Sequence, residues 1–306
     1  MSAERTLTAP IPGPVALDLS MSFGTVHLTV TDTDRAHITL TSTAPADSPA
    51  AQAIAAATLT ANARVLTVTV PTPEQPDGIT VISHGNGRHV TVSGNINSGI
   101  IVSGGSVNIS GSVIGIGNHV TGRSGVNITP GVHAAVVLPR GSALRMRTTG
   151  AAVTTRGELE FITFTAVSGS LDAEACTTLN AESTSGDIRA GYADHATART
   201  VSGDIRLGRT ETVTAAATSG DIRIGDFGGT GRLSTVSGDI TVQATEPGHL
   251  SASAISGDIT VTAPPALVAE GALTVDARSR SGDVCTPRPP SIPSRPRRPR
   301  RAPGQN

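Results

Sequence analysis

Apolar and polar residues alternate over long stretches of the chain, and the alternation is broken at a nearly fixed interval by a glycine. After successive glycines the order runs Asp204-Ile205-Arg206-Leu207, Asp221-Ile222-Arg223-Ile224, Asp239-Ile240-Thr241-Val242 and Asp258-Ile259-Thr260-Val261. A period of two is the pattern of a strand rather than a helix. Three, five and seven residues before the glycine stand Ala217, Ala215 and Val213 in one unit, and Ala254, Ala252 and Leu250 in another. Ala166, Phe164 and Ile162 take the same places at the start of the array. Each unit therefore predicts a strand on either side of a turn, each with its own inward face.

The turn itself repeats as Ser-Gly-Asp-aliphatic, with Gly186-Asp187, Gly203-Asp204, Gly220-Asp221, Gly238-Asp239, Gly257-Asp258 and Gly282-Asp283. Gly169 and Gly150 head degenerate copies, and from Gly150 onward the glycines lie 19, 17, 17, 17, 18, 19 and 25 residues apart. A fixed period marks a repeat architecture in which each unit buries its apolar face by stacking on its neighbours. Two strands of about five residues and two turns fit a 17-residue coil, with facing sheets ~10 Å apart. The expected fold is all-β, a flattened β-solenoid with two main sheets. Glycine supplies a positive φ or a close approach at the corner, and Ser and Asp bond to nearby backbone there.

Four regions are expected. Residues 1–77 form an N-terminal β region: Gly24 to Leu28 repeats the alternation after a glycine, and Leu17, Leu19 and Met21 lie seven, five and three residues before it. A short helix over 48–57, with Pro49 in its first turn, caps the solenoid. Residues 78–131, rich in Gly, Asn and Ser, are an insertion or extra coils, with short strands at Ile96, Ile100-Ile101, Val107 to Ile109 and Val113-Ile114. The regular solenoid spans 132–286, and 287–306 is a disordered Pro/Arg-rich tail.

Composition narrows the picture. The chain has four Phe, one Tyr and no Trp, which suits a narrow interior filled by Ala, Val, Ile and Leu. All 23 basic residues are arginine, a bias the fold does not explain. Six arginines and no acid lie within 286–306, leaving 17 Arg against 24 acids, a formal −7, in the body. An acidic body offers no groove for nucleic acid. Residues 1–14 lack a basic start and an apolar stretch, and the longest aliphatic run, Ala134 to Leu138, is far short of the ~20 residues that span a bilayer. A cytoplasmic location is the default expectation, with envelope association as the alternative.

Stacking places the turn aspartates ~5 Å apart in a column, where like charges need relief. Arg189, Arg206 and Arg223 follow two residues later on the same face, which predicts a solvated Asp/Arg ladder. Calcium is the competing reading, since Gly-Asp turns occur in calcium-binding β-rolls, but one carboxylate turn per coil is a poor source of six to eight oxygens. The eight histidines have no zinc spacing, and His84 and His89 read as loop residues. No nucleophile elbow or dinucleotide fingerprint is present, so no cofactor and no catalytic residue is assigned. Carboxylates brought together from distant coils, as in a polysaccharide lyase or hydrolase, remain the enzymatic alternative. Cys176 and Cys285 would lie roughly 30 Å apart along the stack, so both thiols should be free.

In the tail, Pro287, Pro290, Pro293, Pro296 and Pro299 recur at the polyproline period. Arg295, Arg297, Arg298, Arg300 and Arg301 between and beyond them could hold an acidic partner. The prolines also stop the last coil from templating another strand.

Through Thr200-Val-Ser-Gly-Asp-Ile205 and Thr235-Val-Ser-Gly-Asp-Ile240 the sequence resembles a bacterial family of β-strand-repeat domains of unknown function, the "putative adhesins". The resemblance, over about residues 8–286, implies a β-solenoid without established enzymatic activity, often at the cell envelope, and no defined functional residues. The expected function is a non-catalytic binding or scaffold module for an unknown protein or cell-envelope polymer.

Overall fold

The computed structural model describes residues 3–43, 48–72, 80–84, 89–93, 102–103, 106–110, 120–121 and 132–287. The chain opens with β1 (Ala3–Thr8), β2 (Ala16–Met21), β3 (Gly24–Thr31) and β4 (His37–Ser42). Helix α1 (Pro49–Ala56) and the hairpin β5 (Thr58–Asn62) and β6 (Val65–Val70) follow. Leu17, Leu19 and Met21 on β2 and Val26 and Leu28 on β3 are buried, so the period of two sets the inward face here as well. Ser48 caps α1, its Oγ accepting from the Ala51 N–H at 3.2 Å, and the helix buries Ala51, Ala53 and Ile54.

Among the described residues of 78–131 lie five short strands: β7 (Thr80–His84), β8 (His89–Ser93), β9 (Val102–Ser103), β10 (Ser106–Ser110) and β11 (Val120–Thr121). They form two small sheets apart from the main one. His84 and His89 are not loop residues: they face each other at the end of the antiparallel β7–β8 hairpin. The alternating Thr, Val and Ile on both sides of them carries the strand through to the histidines. β10 joins β8 in parallel with Ser106 beside His89, and β11 joins β9 with Val120 beside Val102, which is the interval of a coil. Ile96, Ile100, Ile101, Val113 and Ile114 lie outside the described residues.

The regular stack runs through β12 (Val132–Pro139), β13 (Ala143–Thr148), β14 (Ala152–Ala166), β15 (Leu171–Ser183), β16 (Ile188–Thr200), β17 (Ile205–Ala217), β18 (Ile222–Ser237) and β19 (Ile240–Ser256). It ends in β20 (Ile259–Thr262), a second short helix α2 (Pro265–Ala269), β21 (Leu273–Ser279) and β22 (Val284–Cys285). From β14 onward every pairing is parallel. The N-terminal strands belong to the same sheet, because β13 lies between β2 and β14 while β3 lies between β12 and β14. Antiparallel strands close this end of the stack: β4 runs against β12, β1 against β4 and β5 against β6.

One coil is a single 13-residue strand and one turn, in place of the two short strands and two turns expected. In β16 the buried residues are Ile188, Ala190, Ala193, Ala196, Ala198 and Thr200, spaced by two except around Ala193, where the spacing is three. Gly191 and Asp194 have no ladder partner in the neighbouring strands, so the second corner is a bend rounded inside the strand. Stacking then builds interior columns, such as Leu171, Ile188, Ile205, Ile222, Ile240 and Ile259. Phe227 fits such a thin core because Gly231 faces it: a Cβ on Gly231 would stand 2.8 Å from the ring. Helix α2 buries no residue and occupies the extra length that separates the last two glycines.

Candidate functional site

The repeat brings Gly169, Gly186, Gly203, Gly220, Gly238, Gly257 and Gly282, with the six aspartates that follow from Asp187 to Asp283, to one edge of the stack. From Asp187 to Asp258 each aspartate carboxylate reaches one coil onward. Asp187 Oδ1 accepts the backbone N–H of Asp204 at 3.0 Å, Asp204 Oδ1 that of Asp221 at 3.0 Å, and Asp221 Oδ1 that of Asp239 at 3.0 Å. Asp239 and Asp258 continue the series, each accepting from the next aspartate at 2.8 Å. The aspartate C=O groups accept from the Ile of the preceding coil, as Asp204 does from Ile188 at 2.9 Å. A carboxylate that receives a backbone N–H in this way replaces the ladder bond that the turn would otherwise lose.

The second carboxylate oxygen is held by arginine in three coils, Arg189 on Asp187 and Arg206 on Asp204 at 2.7 Å and Arg223 on Asp221 at 2.8 Å. Arg206 also reaches back to Asp187 at 3.7 Å, which ties two coils together. These ion pairs are partly exposed, and each contributes on the order of 0.2–1 kcal/mol. Thr241, Thr260 and Cys285 take the arginine position in the later coils, so the charge relief ends where the amide series continues.

Close packing selects the glycine. A Cβ on Gly186 would lie 1.7 Å from the carbonyl oxygen of Gly169, and on Gly203 2.2 Å from that of Gly186. Neither residue has a positive φ, so contact with the coil beneath excludes a side chain there. Three residues before the glycine, a buried hydroxyl serves the same corner. Ser183 Oγ accepts the Gly186 N–H at 2.9 Å and donates to the Gly169 carbonyl at 3.2 Å, and Thr200 Oγ1 accepts the Gly203 N–H at 2.9 Å.

Beside this column runs a stripe of exposed β-branched residues, two positions before each glycine from Gly169 to Gly257, with Arg280 taking the place before Gly282. Val167, Val201, Val236 and Ile255 are between 44% and 51% exposed, and Thr184 and Thr218 stand exposed at the intervening rungs. The next position is Ser in every coil, from Ser168 to Ser281. Strand propensity does not require large apolar side chains at an exposed turn, so the stripe is the feature of this edge that structure alone does not account for. Its signal was present in the Val-Ser-Gly-Asp spelling of alternate repeats.

At the bend edge, Tyr192 donates to Asp194 Oδ1 at 2.5 Å, and this bond raises the Tyr192 pKa. Arg209 bridges coils to Glu246 at 2.7 Å and Asp226 at 4.0 Å. Both cysteines are free. Cys176 lies in the interior, and burial, with a smaller contribution from Asp194, pushes its thiol from 9.0 up to about 12. Cys285 is exposed at the far end. Among the described residues no group of three His, Cys, Asp or Glu is arranged to hold a metal. Arg295, Arg297, Arg298, Arg300 and Arg301 lie outside the described residues.

The family model described as Toastrack DUF4097 matches residues 17–292. Similar solved structures are "putative adhesins" from three bacteria. That of Bacteroides fragilis is 11% identical, with 92% of this chain and 96% of that chain covered and a TM-score of 0.41. That of Parabacteroides distasonis is 11% identical, covering 94% and 97%, at 0.41. That of Parabacteroides merdae is 10% identical, covering 93% and 96%, at 0.42. No curated protein matches the chain.

Proposed function

The chain belongs to the Toastrack family of domains of unknown function, and from that premise we propose that it is a non-catalytic binding or scaffold module whose working surface is the turn edge. The exposed stripe of Val167, Val201, Val236 and Ile255 is the observation that carries this reading. It offers a narrow apolar line, flanked by serine hydroxyls, to an extended partner such as a protein segment or a cell-envelope polymer. The neighbouring carboxylates support a structural role for themselves: Asp187, Asp204 and Asp221 have Oδ1 on an amide and Oδ2 on an arginine, which leaves those three coils a poor source of oxygens for calcium or for acid–base work. The arginines of the tail would add a salt-sensitive contact to an acidic partner, removed by truncation at Pro287.

Among the described residues no helix is long and apolar enough to cross a membrane. The test is binding of the purified protein to isolated bacterial envelope fractions, comparing it with a Val201→Asp/Val236→Asp variant. The reading predicts an unchanged melting temperature and lost binding in the variant. It also predicts one melting temperature in calcium and in chelator, and no new reducing ends from envelope polysaccharides. A calcium-dependent rise in melting temperature would favour the β-roll reading, and sugar release would favour the enzyme.

A further inference from the structure

The two ends of the stack are finished differently. At the N-terminal end β1, β4 and α1 cover the outer strands. At the other end the last full rung is β21, and among the described residues β19 is the strand it pairs with. The interior columns lose their cover there: Leu250, Ala252 and Ala254 are buried, but Leu273, Val275 and Ala277 beside β19 are half-exposed and Val284 is 40% exposed. Gly248 donates to the Ala272 carbonyl at 3.0 Å, and Arg280 donates to the Ala254 carbonyl at 3.2 Å. In a parallel ladder this phase turns the even-numbered residues of β21 toward β19, and leaves the N–H and C=O groups of Leu273, Val275, Ala277 and Ser279 on the open edge.

We infer that this edge pairs with β21 of a second copy of the chain, antiparallel and end to end, about a twofold axis at Ala277. The open groups fix the choice of centre to an odd residue. Centring on Ala277 sets Ala277 against itself and Val275 against the partner's Ser279 as hydrogen-bonded pairs, giving about six new backbone bonds. It also sets Asp276 opposite the partner's Arg278, and Arg278 opposite the partner's Asp276, at the closer non-hydrogen-bonded positions. A twofold contact requires self-complementary charge of this kind. Centring on Val275 would face Asp276 with Thr274, and centring on Asp276 would oppose like charges with amides already bonded to β19. In the single copy Asp276 and Arg278 pair with each other at 3.1 Å on the surface, and this contact is exchanged across the axis. The chain's own tail is a poor occupant of the edge, since Pro287, Pro289, Pro290, Pro293, Pro296 and Pro299 have no N–H to donate. One seven-residue rung makes a small interface, so the association is weak and concentration-dependent.

Sedimentation velocity on the full chain, from about 1 µM to about 1 mM, reads the association directly. A concentration-dependent dimer is expected. Ala277→Pro removes an N–H that faces away from β19 and bonds to nothing among the described residues, and should give a folded monomer with the same melting temperature. Asp276→Arg places like charges across the axis and should weaken the dimer at least tenfold, and Asp276→Arg with Arg278→Asp should restore it. A chain that stays monomeric throughout, or a dimer indifferent to the charge swap, overturns the proposal. So does a dimer that forms only when residues 288–306 are removed, which would assign the edge to the tail.

Discussion

From Ser183 to Ile188, Thr200 to Ile205, Ala217 to Ile222, Thr235 to Ile240, Ala254 to Ile259 and Ser279 to Val284, the turn edge always takes the same number of residues. Across the bend edge the equivalent interior positions run from Ile188 to Ala196, Ile222 to Gly231, Ile240 to Leu250 and Ile259 to Val275, and the span grows each time. The one-residue insertion in β18 is absorbed beside Gly229, at φ 84°, and the largest by α2. A corner where backbone touches backbone and each carboxylate holds the next amide has no room for an added atom. A corner made by bending a strand, with side chains pointing outward, accepts added residues as bulges. The solenoid is therefore held in register along one edge and free to vary along the other.

Several substitutions would break or sharpen this contrast. Gly203→Ala should be the most damaging, at about 3 kcal/mol or more, because its Cβ meets the Gly186 carbonyl at 2.2 Å and only backbone movement relieves the overlap. Gly225→Ala on the bend edge has its nearest neighbour at 3.9 Å, and should be neutral or stabilising by a few tenths of a kcal/mol. Equal losses in chemical denaturation would remove the distinction between the edges. Asp204→Ala should cost about 2 kcal/mol by stranding the Asp221 N–H and freeing Arg206, whereas Asp204→Asn keeps an acceptor oxygen and should cost under about 1 kcal/mol.

At the bend edge, Thr210 is buried with no hydrogen-bond partner for Oγ1 among the described residues, so Thr210→Val should raise stability by about 1 kcal/mol. Thiol chemistry gives the smallest structural effect. Cys285 should react at once with no change in melting temperature, and Cys176 should stay unmodified until the chain unfolds. Because the Cys176 pKa is higher in the folded state, the unfolded thiol ionises first. Its contribution is therefore flat below pH 9.0 and turns against folding as pH rises toward about 12. A pH titration of the unfolding midpoint, compared with Cys176→Ala, isolates that slope.

The turn edge was legible in the sequence because its constraints act on residue identity: only glycine fits the contact, and Asp after each glycine from Gly186 to Gly282 stands out against a varied background. The direction of the aspartate side chain was not legible. Spacing placed the carboxylates in a column and arginine beside three of them, but whether Oδ1 turns to solvent or to the next amide depends on the pitch of the coil. The bend left no motif, since a change of interior spacing from two to three around Ala193 can be made with Gly, Tyr, Arg or Asp outside it. The helix at Pro49–Ala56 was marked in the sequence by Pro49 in its first turn, whereas α2 begins at Pro265 with no buried face to mark it. Tyr192 and Asp194 stand two residues apart around the buried Ala193, and their pairing became visible only with the bend.

Backbone hydrogen exchange at Asp204, Asp221, Asp239 and Asp258 tests the central claim most directly. These amides sit in partly exposed turns and their acceptors are the carboxylates one coil back. The account predicts protection comparable to the neighbouring strand amides, lost at Asp221 alone when Asp204 is replaced by Ala and unchanged by calcium. Exchange at the rate of an open loop in the unmodified protein, or protection that appears only with calcium, would contradict it.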